Sequence, residues 1–365
     1  MRILIPVPTF ERAGGFRVLA ELATHWRAAG ADVDFLVDHR SAEPYFPTTA
    51  RILRFDRQGL LHEEARRVAF APGINAWSIY LGMWRALNQI GGEYNVILAN
   101  HSFTTFPVWL SSAARQCKFY YIQAYEPQLY EHPPGLRSAV FRFVSRLSYR
   151  LPLKRIVNSP LYFRYAEIRS ERWIPPGIDE RLFWRRPAPP VFVADRPIWI
   201  GTVGRTEPIK GTVDVLSAFE QFAAREPRAH LRVAFGNLPA GWSHPRCEVV
   251  VPRNDAELAE FYRGVDILVA PGRCQLGACH YPVMEALACG TPVVTTGYLP
   301  ADEENAWIVP VCAPDRIAAA VSDIAATAPE TLRAKLDRGA EAMAPFAWPH
   351  VAGKFLGVFS AGAGP

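Results

Sequence analysis

The chain has 365 residues, half of them hydrophobic and 21% charged, which suffices for two compact cores and excludes a disordered or fibrous protein. A net charge of +5 and a pI near 8.9 suit a protein that handles phosphorylated ligands or approaches an anionic membrane, but are too modest for a nucleic-acid binder. The opening MRILIPVP has no sustained apolar run, and no stretch of about eighteen apolar residues follows, so a soluble cytoplasmic protein is expected. The six cysteines (Cys117, Cys247, Cys274, Cys279, Cys289, Cys312) show no CxxC pair and no histidine at zinc-ligand spacing, so they are read as reduced thiols.

In chain order, the apolar run 2–7 predicts a strand. A polar loop with Gly14 and Gly15 follows, and then a helix marked by Val18, Leu19, Leu22 and Trp26. Gly30 suits the end of that helix, and further apolar runs at 33–37, 96–99, 119–122 and 155–157 predict strands. Strands alternating with helices make a parallel sheet covered on both faces. The segment 174–197 is rich in proline and predicts a linker, with the boundary near residue 180. A second alternation then opens at 198–203 and continues with strands at 231–235, 248–251, 267–270, 292–295 and 306–309. Helices fit at 213–225, 255–263, 282–288 and 315–326. The tail carries Trp348, Val351, Phe355 and Phe359 at helical spacing and must find an apolar surface.

Two segments carry chemistry. In Gly201-Thr-Val-Gly-Arg-Thr-Glu-Pro-Ile-Lys-Gly211, Arg205 and Lys210 lie just past the C-terminal end of a predicted strand, where parallel sheets bind ligands. Two cations there can neutralise a diphosphate and stabilise it as a leaving group. In Tyr281-Pro-Val-Met-Glu-Ala-Leu-Ala-Cys-Gly-Thr-Pro292, the helix start at Tyr281, Pro282 and Val283 can receive phosphate oxygens, and Glu285 one turn later can bond ribose hydroxyls.

With these motifs, from the Gly14-Gly15 loop through Arg205, Lys210 and Glu285 to the Trp348 tail, the chain resembles the retaining glycosyltransferases of family GT4. The resemblance implies the GT-B fold, α/β, with two Rossmann-like domains facing across an interdomain cleft. It implies an acceptor domain over 1–180, a nucleotide-sugar donor domain over 181–345, and a terminal helix, 346–365, crossing back to the first. It further implies that Arg205 and Lys210 hold the donor diphosphate, Glu285 the ribose, and Gly14 and Gly15 a loop near the phosphates or acceptor.

Three departures stand out. Where the family usually has a sugar-binding glutamate, eight residues before Glu285, this chain has Gly277. Gln123, in Tyr120-Tyr-Ile-Gln-Ala-Tyr-Glu-Pro127, stands where many members have a histidine, which resembles a rhamnosyltransferase-type branch. Gln123 can hydrogen-bond but cannot act as a base. His101 is shifted by one from the usual histidine and is kept as a candidate.

His280 precedes Glu285 and is a candidate phosphate or sugar contact; Arg253, after the 248–251 strand, is a candidate for the nucleobase, against the simpler reading of a turn leading into a capped helix. Over 136–151, Arg142, Arg146 and Arg150 form one helical stripe and Val140, Val144, Leu147 and Leu151 another. The plainer reading puts the apolar stripe in the core and the basic one in solvent; the sharper one adds peripheral contact with anionic lipid. The expected partners are thus a nucleotide-sugar donor and a glycan, lipid-linked or small-molecule acceptor, with no nucleic acid. No cofactor is expected, and no DxD-type acidic pair calls for a metal. A catalytically silent scaffold and a GT-B epimerase are the alternatives; a nicotinamide-dependent oxidoreductase lacks its GxGxxG.

Overall fold

The protein is described from a computed structural model, covering residues 1–62, 76–130, 135–170 and 172–362. The chain divides into two units, residues 1–177 with 348–365, and residues 178–347.

The first unit is built on a seven-stranded sheet of β1 (Arg2–Pro6), β2 (Asp32–Asp38), β3 (Arg51–Phe55), β4 (Leu61–His62), β5 (Val96–Ala99), β6 (Lys118–Ile122) and β7 (Lys154–Val157), in the order β4-β3-β2-β1-β5-β6-β7. All pairs are parallel except β3 with β4. Helices α1 (Gly14–Ala28), α2 (Ala76–Ile90), α3 (Thr105–Leu110) and α4 (Leu136–Ser148) connect them. The central strands are buried almost throughout, as sheets covered on both faces require. The break in strand order falls between β2 and β5, on either side of β1, so the loop carrying Gly14 opens at this switch point.

The last helix, Trp348–Gly362, belongs to this unit. Its apolar stripe answers what the tail packs against: Phe355 and Phe359 meet the Trp26 ring of α1 at 5.5 Å each, and Phe355 meets Tyr121 at 4.9 Å. Trp26 Nε1 donates to Ala352 O (3.2 Å), so the one polar atom of the indole is satisfied in the core.

The second unit has a six-stranded parallel sheet of β8 (Ile198–Val203), β9 (Ala229–Ala234), β10 (Cys247–Val250), β11 (Ile267–Ala270), β12 (Val293–Thr295) and β13 (Trp307–Ile308), in the order β10-β9-β8-β11-β12-β13. Helices α5 (Thr212–Ala223), α6 (Asp255–Arg263), α7 (Tyr281–Ala288), α8 (Pro314–Ala326) and α9 (Pro329–Met343) accompany it. Its switch point lies at the end of β8, where Arg205 follows. The proline-rich stretch is no free linker. The division falls near its start, between residues 177 and 178, Phe183 is fully buried, and the Arg186 amide donates to Cys289 O at 3.0 Å.

Among the described residues, no helix is long and apolar enough to cross a membrane. Because Phe355 is wholly buried against Trp26 and Tyr121, Phe355→Ala is expected to cost about 3–5 kcal/mol in a denaturant titration. A loss below about 1 kcal/mol would show that the terminal helix does not secure this core.

Candidate functional site

In the second unit, the end of β8 is shaped by close approach. A Cβ on Gly204 would lie 1.7 Å from Gly236 O, so only glycine lets the loops after β8 and β9 touch. The Arg205 amide donates to Thr212 Oγ1 (3.0 Å), and that hydroxyl donates back to Arg205 O (2.9 Å), closing the loop onto the first turn of α5. The Arg205 guanidinium is about half exposed and, among the described residues, reaches one carboxylate, Glu207, at 3.5 Å. Lys210 ends a short 3-10 turn and is partly buried. Its ammonium has no hydrogen bond or ion pair among the described residues, and burial, reinforced by Arg205, lowers its pKa.

His280, the residue before α7, sits in the same field. Burial, then the charges of Lys210 and Arg205, push its pKa down to about 3. Its ring lies 4.7 Å from that of Tyr298, and its buried Nδ1 has no partner among the described residues. The fold therefore brings Arg205, Lys210 and His280 within electrostatic reach of one another, with Glu207 half-exposed as the nearby carboxylate. Beside them lies a pocket of about 280 Å³ lined by Arg205, Glu207, Thr212, Asn237 and Arg273. Arg273 is already neutralised by a two-pronged contact with Asp214 (2.9 and 2.7 Å), so Arg205 is the weakly compensated cation there.

Glu285 is buried on α7, and Tyr262 OH of α6 donates to its Oε2 at 2.8 Å. Tyr262 is not among the sequence candidates, since its link to Glu285 is made across 23 residues and only in the fold. The start of α7 is poorer in donors than its position suggested. Pro282 has no N–H, and the amides of Val283 and Met284 both donate to His280 O (3.0 and 3.1 Å). Gly277 has φ +89°, and its amide donates to Gly297 O at 2.8 Å. A glutamate there would be strained in a left-handed conformation, so the departure from the family pattern is one of backbone as well as side chain. Arg253 is exposed and its guanidinium grips Glu257, while Asn254 caps α6 by accepting from Glu257 N (2.9 Å). These contacts are those of the simple turn; none links Arg253 to the cationic group among the described residues.

In the first unit, Gly14 and Gly15 open α1, and Gln123 lies against them: its Nε2 donates to Gly15 O at 3.3 Å, where a Cβ on Gly15 would crowd it. Asn158 Nδ2 donates to Gln123 O (2.9 Å), fixing the loop after β6. His101 is held differently. Phe103 N donates to its Nδ1 (3.2 Å), so the neutral ring carries its proton on Nε2, facing Glu126 Oε2 at 3.2 Å. Glu126 is buried and accepts from Ser102 N through both oxygens (3.0 and 3.1 Å). With both ring nitrogens engaged, His101 is an oriented donor more than a free base. Glu126 completes this pair; the Glu126-Pro127 dipeptide was visible in sequence, but nothing there tied it to His101.

Between about pH 3 and the ordinary histidine value of 6.5, the folded protein holds fewer protons on His280 than the unfolded chain does, so His280 removes stability as pH falls through that window. In Lys210→Met the nearest positive charge is gone, and the ring is expected to titrate at higher pH, followed by its Cε1–H resonance. An unchanged titration would show that the ammonium does not act on the ring.

Residues 197–327 match the family model described as Glycosyl transferases group 1. A D-inositol 3-phosphate glycosyltransferase of Segniliparus rotundus is 30% identical over 212 residues, 52% of this chain and 46% of the relative. One of the same name from Acidothermus cellulolyticus is 29% identical, over 53% and 48%. The chain thus spans about half the length of the curated relatives it matches. Among solved structures, a sucrose-phosphate synthase from Thermosynechococcus elongatus superposes with a TM-score of 0.74 at 20% identity, covering 99% of this chain and 98% of that one. The Anabaena protein HepE, solved with UDP and glucose, gives 0.69 at 14% identity, covering 99% and 100%. The chain has the GT-B fold of glycosyltransferases, and over residues 197–327 it matches the group 1 glycosyl transferases.

Proposed function

We propose that the protein is a retaining glycosyltransferase that moves a sugar from a nucleotide-diphosphate donor to a hydroxyl acceptor. The observation that carries this reading is the surplus of positive charge at the end of β8, where Arg205, Lys210 and His280 act on one another with one half-exposed carboxylate, Glu207, nearby. Such a place is short of a polyanion, and a diphosphate supplies one. The group 1 match and the UDP and glucose bound to HepE point the same way.

In this reading Arg205 and Lys210 hold the diphosphate, His280 adds a neutral hydrogen-bonding contact, and Glu285, steadied by Tyr262, takes the ribose hydroxyls. The bond from the anomeric carbon to the β-phosphate oxygen breaks as the acceptor oxygen bonds to the same face. The acceptor proton passes to the leaving phosphate, and the two cations stabilise the charge that develops there. Gln123 serves as a hydrogen-bonding group, since this route needs no side-chain base. A left-handed Gly277 in place of a hydroxyl-reading carboxylate favours a donor sugar with altered or missing hydroxyls. The two cations also balance the diphosphate without a divalent metal. Inositol phosphates, named for the relatives, belong in a first acceptor panel beside glycans and lipid-linked sugars.

A thermal-shift screen over UDP, GDP, dTDP and ADP and their sugars tests donor binding. At least one diphosphate is expected to raise the melting temperature; no shift with any of them would overturn the reading. Arg205→Ala is expected to lower kcat about 10²-fold or more, and Glu285→Ala to weaken donor binding about tenfold or more. Transfer that survives a chelator supports the metal-free route; transfer lost to chelator and restored by manganese would refute it. A diphosphate that binds without transfer or hydrolysis of any donor would favour a silent scaffold.

A further inference from the structure

Helix α4 faces the opposite way from its hydrophobic pattern. Leu136, Val140, Phe143 and Leu147 are 84, 49, 67 and 39% exposed, while Ser145 and Ser148 are buried. At about 100° per residue the exposed apolar residues form one narrow stripe, and Phe141, Ser145 and Ser148 lie on the other side of the helix. The cause is local packing. Ser145 Oγ meets Ser102 Oγ at 2.7 Å, Ser148 Oγ donates to Ser145 O at 2.7 Å, and Phe141 sits against Phe103 and Tyr130 at 5.5 Å each. Small hydroxyl residues allow close approach, and the hydroxyls find partners, so the polar side turns inward. The plainer sequence reading, with Val140 and Leu147 in the core, is corrected here.

Arg137, Arg142 and Arg146 flank the exposed stripe, and Arg150 follows the helix. Arg150 also lines a recess of about 930 Å³ with Arg115, Lys154, Arg155 and Arg169. This recess lies by the N-terminal ends of β6 and β7, the sheet end opposite Gln123. Its one carboxylate, Glu167, is taken by Tyr125 OH and by Arg146 at 3.9 Å. Arg115, Arg150 and Arg169 have no hydrogen-bond or ion-pair partner through their side chains among the described residues. The buried Arg155 Nε also lacks one.

We propose that α4 and this recess dock on an anionic lipid bilayer, with Leu136, Val140, Phe143 and Leu147 entering the headgroup and acyl boundary and the recess receiving a lipid phosphate. The occupant follows from charge complementarity: an apolar stripe alone would suit a protein partner, but one rimmed by arginines and running into a cationic recess matches a surface that is apolar below and anionic above. A soluble acidic protein would pair with the arginines and leave the apolar stripe in water. This inference does not depend on the glycosyltransferase reading.

The test is flotation of the full-length protein with vesicles of phosphatidylcholine alone and with phosphatidylglycerol added. Binding is expected only to the anionic vesicles, and release at high salt, since each cation near such a surface is worth about fivefold in affinity. Phe143→Ser with Leu147→Ser, both exposed, is expected to weaken binding about tenfold or more. Arg150→Gln with Arg169→Gln is expected to weaken it about twentyfold. Unchanged melting temperatures and circular dichroism establish that the variants are folded. Failure of the wild type to float with anionic vesicles would overturn the proposal, as would variants that bind like wild type. Thermal stabilisation by pyrophosphate that is lost in the arginine variant, without flotation, would identify a site for a free anion and equally overturn it.

Discussion

The constraint on which the second unit turns is that positive groups at the end of one strand cannot all carry their charge comfortably. Burial, then the charge of Arg205, lowers the pKa of Lys210, and burial, then the charges of Lys210 and Arg205, keeps His280 neutral down to about pH 3. The scaffold around them is stiff: the Gly204 contact with the β9 loop and the two-way bond between Arg205 and Thr212 fix where the cations stand. A site built in this way is organised before its ligand arrives. Binding an anion then relieves repulsion already present, which is the electrostatic form of preorganisation.

The first unit is organised by hydrogen bonds instead of by a surplus of positive charge. Gln123 and Gly15 touch through an amide and a carbonyl, and His101 is fixed in one tautomer by a backbone amide on one side and a buried carboxylate on the other. These contacts fix the direction in which the amide and the imidazole point. The two units thus differ in the chemistry they offer: one presents a surplus of cations, the other directional hydrogen bonds.

Much of this was legible in the sequence because strand ends in parallel sheets are where ligands bind, and Arg205, Lys210 and Glu285 stand at such ends or on the helix that follows. What escaped is what periodicity does not encode. Strand β3 was missed because Arg51 and Arg54 interrupt its apolar pattern; each is acceptable only because Asp34 and Glu43, distant in sequence, pair with them. Helix α9 is strongly charged and gave too weak an apolar stripe to be noticed. For α4 both stripes were seen, but the apolar one was assigned to the interior where Ser145 and Ser148 pack instead, since the outcome depended on hydroxyl partners such as Ser102 that no local pattern reveals. The partners of His101 and Glu285 were likewise long-range: Glu126 and Tyr262 acquire meaning only when the fold places them.

The left-handed backbone at Gly277 has a consequence for how this protein can diverge. In a relative with ordinary backbone at that place, a side chain can be exchanged in one step and the pocket retuned. Here the segment is pinned by the Gly277 amide to Gly297, itself at φ +99°, so a new side chain would arrive together with the cost of remaking both turns. The shape of this segment is therefore written into main-chain geometry, and a change in it would have to begin with the loops.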